Sequence, residues 1–392
     1  MRILFIGGIY KGADKEFARR YRDKNYSYSD LKEKMTASFL SYFVTGYVEA
    51  LIAAGYETDY IMPECALLQM AWKNEHILNK KDISDYDVII AQINEVKPDV
   101  LFYDVVDVAL LRYIKNKCKW IKAVVGWVGS ALGPLEQYKE LDITFSCAQE
   151  SVDILNGFGI KSIQLHHAFP KNVLQFLEIN NNNQDKLAFI GSIIREKEYH
   201  LEREQMLLAL SRKMPIDVYT ASFYYGVKDI AKTYIKKAIC KTFEIMPGGR
   251  RIIGNRSSEK FISPVNMELK RFMKPPVFGM DMFNAVYNSA MSLNIHADSS
   301  PRFSSNMRMF EITGVGSCLL TEAKENTNDL FEIDKEIVTY TCSEDCVEKV
   351  DWLKVHQGKL EEIRKNGQKR CLQDHTYDNR VPLLVQYIKS VL

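Results

Sequence analysis

The stretch NMRMFEITGVGSCLLTE, residues 306 to 322, carries the pattern on which the fold is read. Arg308 and Glu311 sit on a short helical segment closed by Gly314 and Gly316, and an apolar strand-like run follows at 317–321. A helix that feeds a buried strand through a glycine turn is half of a βαβ unit, the building block of parallel sheets. Working upstream, VFGMDMFNAVYNSAMSLNIHAD (277–298) repeats the arrangement. It reads as an amphipathic helix over about 280–290 leading into a strand at 292–295 that ends at His296, Ala297 and Asp298.

The same alternation runs through the chain. Further strands are expected at 187–190, 216–219 and 337–340, and in the first half at 1–6, 57–61, 87–90, 100–103, 123–127 and 142–145. These runs are nearly all apolar and β-branched, as suits parallel strands covered on both faces. A last strand of the first half lies within NGFGIKSIQLHHAFP (156–170), and Asn180 to Asn183 follow as a polar turn. An α/β fold of two Rossmann-like halves results: an acceptor-side domain over 1–175, a second domain over 185–375 with a basic insertion at about 225–275, and a terminal helix at 376–392 that returns to the first domain. At 392 residues, two domains of similar size are the expectation.

Ligands in open α/β sheets bind beyond the carboxyl ends of the strands, so the residues that follow each strand carry the site. After 187–190 come Gly191 and Ser192, then Arg195, Lys197, His200 and Arg203. A small-residue turn with free N–H groups, followed by cations, suits a diphosphate. Arg195 is the preferred cation; Lys197 and Arg203 read equally well as a solvated helix face. His296 and Asp298 end a strand and are catalytic candidates, although a histidine in that place is also a common structural hydrogen-bonder. In the first half Gly7 and Gly8, Asp104 and Asp107, Trp127 to Ser130, and His166 with His167 face the expected cleft. A base for an attacking hydroxyl must come from this side, and Asp104 or Asp107 would supply it. The glycine cluster 7–12 does not keep the G-x-G-x-x-G register of dinucleotide binding. Asp85-Tyr86-Asp87 spells D-x-D, but as the opening of the strand at 87–90 it reads as a turn cap rather than a metal site.

The second half resembles a known family on these residues: FIGS (189–192) with its basic helix, SLNIHAD (292–298), MRMFEITGVGSCLLTE (307–322) and the closing DHTYDNRVPLL (374–384). It is similar to the CgeB-like (spore-maturation protein) glycosyltransferases of the GT-B group over 187–201 and 278–392. The resemblance implies a GT-B fold, with two Rossmann-like domains facing each other across a cleft. It also implies a metal-independent glycosyltransferase with a nucleotide-diphosphate sugar as donor substrate and no cofactor. Glu311 would then bond the donor's ribose hydroxyls, and Asn306, Arg308 and Gly314 would complete a donor pocket with Gly191, Ser192 and Arg195. Related retaining enzymes carry a second glutamate eight positions earlier, where this chain has Phe303. The acceptor, whether glycan, lipid-linked or protein, is not legible, nor is the stereochemical outcome; the setting implied is cell-surface or spore polysaccharide synthesis. A GT-B-like nucleotide-sugar epimerase or hydrolase, or a non-catalytic nucleotide-sugar or glycan-binding subunit, fits the same residues.

Composition bounds the rest. An apolar fraction of 46% with 26% charged residues excludes a disordered or fibrous chain. The eight cysteines form no C-x-x-C pair, and the opening apolar run is too short for a signal-peptide core, so a cytoplasmic protein is expected. Residues 227–274 hold twelve Lys/Arg against Asp229, Glu244, Glu259 and Glu268, a net +8 against −6 for the remainder. That patch suggests an anionic partner and no nucleic acid. Residues 227–243 alternate an apolar face with Lys228, Lys232, Lys236, Lys237 and Lys241, which suits either packing on the second domain or peripheral contact with the inner face of a membrane.

Overall fold

The computed structural model describes residues 1–10, 12–76, 83–104, 107–129, 132–179, 187–195, 201–254, 257–296 and 300–392. Asp298, Ser130, Lys197, His200 and the tetra-Asn run lie outside these residues.

In the first half β1 (Arg2–Ile6), α1 (Ala13–Tyr21), α2 (Tyr28–Ser38), α3 (Tyr42–Ala53), β2 (Glu57–Ile61), α4 (Ala66–His76), α5 (Asp85–Val96), β3 (Val100–Tyr103), α6 (Val108–Lys117), β4 (Ala123–Val128), β5 (Ile143–Ser146), α7 (Gln149–Gly157) and β6 (Ser162–Gln164) follow one another. The second half holds β7 (Leu187–Ile190), α8 (Leu201–Lys213), β8 (Ile216–Tyr219), α9 (Val227–Ile245), α10 (Gly249–Ile253), α11 (Met267–Lys270), β9 (Met273–Lys274), α12 (Met280–Tyr287), β10 (Met291–Asn294), α13 (Arg308–Gly314), β11 (Cys318–Glu322), α14 (Thr327–Leu330), β12 (Val338–Tyr340), α15 (Ser343–Val355), α16 (Gln357–Asp374) and α17 (Tyr377–Lys389). Each half builds one parallel six-stranded sheet, in the orders β2-β1-β3-β4-β5-β6 and β12-β11-β10-β7-β8-β9.

Strands β3 and β4 are apolar and buried throughout, and β1 is so after Arg2, because helices cover both faces. Strand order reverses direction between β1 and β3 in the first sheet and between β7 and β10 in the second. Those two points open the crevices in which open α/β sheets take ligands.

The expected strand at 87–90 is instead the start of helix α5. Ser84 caps it by accepting from Asp87 N, and Val88, Ile89, Gln92 and Ile93 are buried at helical spacing. A window of four apolar residues could not separate the two periods. The D-x-D acids are spent in that first turn, with Asp85 paired to Lys73 and Asp87 accepting from Tyr113 Oη. The two-residue strand β9 was not expected.

The halves are joined by packing as well as by chain. One apolar core runs from Ile3 and Phe5 through Phe283 and Phe310 to Ile388. Helix α17 lies on α3, where a Cβ on Gly46 would stand 2.5 Å from the Tyr377 ring. The closing His-Thr-Tyr…Arg stretch ties this crossover: His375 bonds Leu330 O, the Phe169 N–H donates to His375 O, and Arg380 donates to the carbonyls of His166, His167 and Asp374.

Candidate functional site

At the switch point of the second sheet, β7 delivers Gly191 and Ser192 while β10 delivers Asn294, Ile295 and His296. Arg203 of α8 holds the two ends together. Its Nη1 donates to Ser192 O at 2.9 Å and its Nη2 to Ile295 O at 2.8 Å, in a position 8% exposed. Asn306 donates to Asn294 Oδ1 and Ile295 O, fixing the loop before α13. A crevice of about 150 Å³ between these residues reaches Gly191, Met307 and Arg308.

Three expectations change here. Arg195, the favoured diphosphate cation, is turned aside: it pairs with Glu204 at 2.8 Å and donates to Ser263 O at 2.6 Å. It lines neither this crevice nor the larger cavity next to it. The Gly191 N–H is taken by Tyr219 O, so the residue serves by close approach, a Cβ there falling 2.9 Å from the Phe189 ring. His296 is buried between Asn294 and Thr321, and burial, with Lys324 and Arg203 adding, pushes its imidazole down to about 3. The ring is thereby kept neutral, with its Nε2 held between the Asn294 amide and the Thr321 hydroxyl.

Helix α13 supplies the charged pair. Glu311 is 1% exposed; Tyr42 Oη of α3 donates to its Oε1, and Arg308 Nη1 stands 2.6 Å from its Oε2. Arg308 also touches the Met282 sulfur. Burial pushes the Glu311 carboxyl up to about 8 and the Arg308 guanidinium down to about 10, Tyr10 opposing the latter. Both line a cavity of about 210 Å³ walled by Tyr10, Tyr42, Gly191, Ser192, Thr220 and Phe278, with residues from both halves. Gly314, expected in the donor pocket, closes α13 against the first half instead: a Cβ there would lie 2.4 Å from the Phe169 ring.

At the first sheet's switch point the Gly8 N–H points to Asp104 Oδ2 at 3.4 Å, with the Glu64 carboxylate beside the same glycine. Burial lifts the Asp104 carboxyl to about 7, the Gly8 N–H opposing and the Glu64 charge adding. Tyr10 leads from this point to Met307, and its phenol lies in the field of Glu311, Arg308 and Asp104. Gly7 is required because a Cβ would fall 2.3 Å from Val44 Cγ2. Asp107 is no base: it caps α6, accepting from Ala109 N and Leu110 N on one oxygen and from Tyr86 Oη on the other. Trp127 is buried against Phe43 and His167, and burial holds His166 down at about 4, so both are structural rather than cleft groups.

Glu150, at the start of α7, reaches the segment around Phe303, where the related retaining enzymes carry a glutamate. Its Oε1 accepts from the Arg302 and Phe303 N–H groups at 2.9 and 3.1 Å, and its Oε2 from Ser300 Oγ. A carboxylate is therefore present beside Phe303, supplied by the other half of the chain.

Residues 238–386 match the family model described as glycosyl transferase-like. HepE of Anabaena, solved with UDP-glucose, superposes with a TM-score of 0.56 at 12% identity over 100% of both chains. A glycosyltransferase of Rickettsia africae gives 0.57 at 11%, covering 100% of this chain and 98% of that one. Sucrose-phosphate synthase of Thermosynechococcus elongatus gives 0.53 at 8% over 100% and 99%. The fold is GT-B. No curated protein matches the sequence.

Within the GT-B frame, sequence reading missed Tyr42, Glu150 and the clamping role of Arg203. Tyr42 lies in the apolar run YFVTGYVEALIA of α3, where nothing marks one tyrosine as a cross-domain donor. Arg203 lay within the basic helix but was ranked below Arg195 because it stands farther from the turn in sequence. One helical turn carries it back beneath the strand ends.

Proposed function

We propose that this chain is a glycosyltransferase that binds a nucleotide-diphosphate sugar against α13 and passes the sugar to an acceptor presented by the first half. The observation that carries this reading is the Glu311–Arg308 pair at the sheet's switch point, opening on a cavity walled by both halves of a GT-B fold. A buried carboxylate has about four lone-pair sites. Tyr42 and Arg308 occupy two, which leaves room for the two hydroxyls of a ribose. Arg308 and the backbone beyond β7 would meet the diphosphate, so no metal is needed in this mechanism.

On the acceptor side Asp104 takes the proton of the attacking hydroxyl. The acceptor oxygen then bonds to the anomeric carbon as the carbon–oxygen bond to the β-phosphate breaks, and the nucleoside diphosphate leaves with the electron pair. That step inverts the anomeric configuration. HepE, whose structure holds UDP-glucose, supports a uridine nucleotide as the first donor to try. Membership of the CgeB-like branch, and with it a cell-surface or spore polysaccharide product, rests on residues 306–322 and 374–384. A cytoplasmic location fits eight cysteines that are all free. Among the described residues no single helix is long and apolar enough to cross a membrane. A lipid-linked acceptor at the inner face of a membrane is the version that residues 227–243 favour.

The test is a thermal-shift and calorimetry panel of UDP-, GDP-, CMP- and dTDP-sugars, followed by NMR of the product anomer. Binding of one donor with transfer and inversion supports the reading. Failure of every donor to bind, or hydrolysis with every acceptor offered, overturns it.

A further inference from the structure

Helix α9 has nineteen residues, and only Cys240 among them is buried. Ile230 packs on the second domain's core, as one reading of the sequence expected, and Phe243 is half-buried, but most of the helix's other apolar side chains face outward. Val227, Tyr234, Ile235, Ile239 and Ile245 are between 52% and 76% exposed, and Ala231 and Ala238 are exposed with them. At about 100° per residue these positions fall on one outward arc of roughly 140°. Lys237 and Lys241 border the arc on one side, Lys232 and Lys236 on the other, and Lys228 stands in its first turn.

The two acids of α9 are turned away from that face. Asp229 accepts from the Gly226 N–H in the capping turn, and Glu244 is held by Ser258 N and Oγ. Helix α10 packs beside α9 and adds exposed Ile252 with Arg250 and Arg251. Exposed Tyr224 and Tyr225 precede α9, and Ala221 of the same turn already lines the cavity. An outward apolar stripe edged by lysines on both sides, with aromatic rings at its head, is the profile of a helix lying in a membrane interface. Lysine stems reach along such a stripe while their ammonium groups stay at phosphate level. A second copy of the chain stacked stripe to stripe would bring the lysine rows together, a like-charge contact that opposes association.

We propose that α9 and α10 form a docking face for an anionic lipid bilayer, the apolar stripe entering the interface and the lysines meeting lipid phosphates. The face begins at Val227, six residues along the chain from Ala221 of the cavity wall, so a lipid-borne acceptor would meet the protein on a segment that joins that wall. That last consequence rests on the cavity being the transfer site; the docking itself does not.

The experiment is co-sedimentation of the full chain with vesicles of phosphatidylcholine alone and with phosphatidylglycerol added. Pelleting with the anionic vesicles, reversed by high salt, is expected. Each of Lys232→Glu, Lys236→Glu and Lys241→Glu should weaken partitioning at least about fivefold. Ile235→Ser with Ile239→Ser should abolish it while leaving the thermal midpoint unchanged, since both side chains are exposed. Calorimetry with nucleotide sugars on the same variants separates the two readings: unchanged donor binding with lost pelleting supports docking, and pelleting by a chain that binds no donor leaves docking standing while the transfer reading falls. Equal pelleting with neutral vesicles, no pelleting at low salt, or a dimer in sedimentation velocity that Ile235→Ser with Ile239→Ser converts to monomer would overturn the proposal.

Discussion

Replacing Glu311 with glutamine tests the donor site with the smallest change of shape. The amide keeps one carbonyl acceptor, which Tyr42 can still address, but presents an NH2 group where the carboxylate offered its second oxygen. If the ribose uses that oxygen, at least one hydrogen bond to a charged acceptor disappears, a loss of about 1.5–3 kcal/mol. At about 1.4 kcal/mol per tenfold the donor's Kd should rise roughly 10- to 150-fold. Alanine is the poorer probe, because removing one partner of a buried ion pair costs about 3–5 kcal/mol and endangers the fold. With glutamine the penalty should be smaller, since the Arg308 side chain is 20% exposed and can hydrate. The control is Tyr42→Phe, which deletes the phenol on Oε1 and leaves Arg308 and the remaining lone pairs in place; donor affinity should stay within about threefold. Calorimetry with the best donor of the nucleotide-sugar panel, alongside circular dichroism, reads both. A folded Glu311→Gln chain with wild-type affinity would refute the assignment.

Asp104→Asn should abolish a rise in turnover through about pH 7, where the wild-type carboxyl titrates. The same variant should be the more stable chain at high pH. Below about pH 4 the acid is protonated in both states and the two chains match, whereas from there to about 7 only the unfolded wild type ionises. The shift from 3.8 to about 7 is worth on the order of 4 kcal/mol at pH 8, read by urea unfolding. Arg203→Lys should lower stability by about 2–4 kcal/mol and weaken donor binding, because a single ammonium cannot span the carbonyls beyond both strands. Arg195→Ala should leave donor affinity nearly unchanged; a larger loss at Arg195 than at Arg203 would restore the order expected from sequence. Glu150→Gln should raise the KM for the donor with little change in thermal midpoint, since it loosens the 300–303 turn rather than the core.

What was legible followed from period and punctuation. Strands β1, β3, β4 and β7 are apolar runs ended by a glycine or a charged residue. The helix α5 was misread because the apolar run Val88–Ile90 in its first turns is too short to show a helical period, and Ser84 as cap with Asp85 and Asp87 behind it is the signal that marks a helix start. Glu311 could be singled out because α13 and its glycine turn form a motif continuous in sequence. Its partners were hidden because they are assembled from afar: Tyr42 stands 269 residues away, and Glu150 meets Arg302 across 152. Asp104 and Asp107 looked equivalent beside one strand end. Three residues of separation make one a cap on α6 and leave the other half-covered beside Gly8.

The contacts between the halves are of two kinds. On one side the Phe169 ring lies against Gly314, Tyr377 lies against Gly46 and Tyr47, and the Phe169–Thr376 bridge joins the backbones. These are close apolar contacts within the main core, and parting them would expose rings to water and leave voids. Around Glu311 polar ties join them as well, Tyr42 to Glu311, Arg20 to Asp281, Tyr10 to the Met307 sulfur and Glu150 to the 300–303 turn, beside the Phe39 and Tyr42 rings packed on Phe283. Each polar tie exchanges readily for water and nets about 0.5–1.5 kcal/mol, somewhat more where a charge is involved. Opening the cleft at Glu311 would therefore part the Phe39 and Tyr42 rings from Phe283 as well as these polar ties. A donor bound at Glu311 would compete with Tyr42 for the carboxylate, so donor binding and this tie between the halves are coupled.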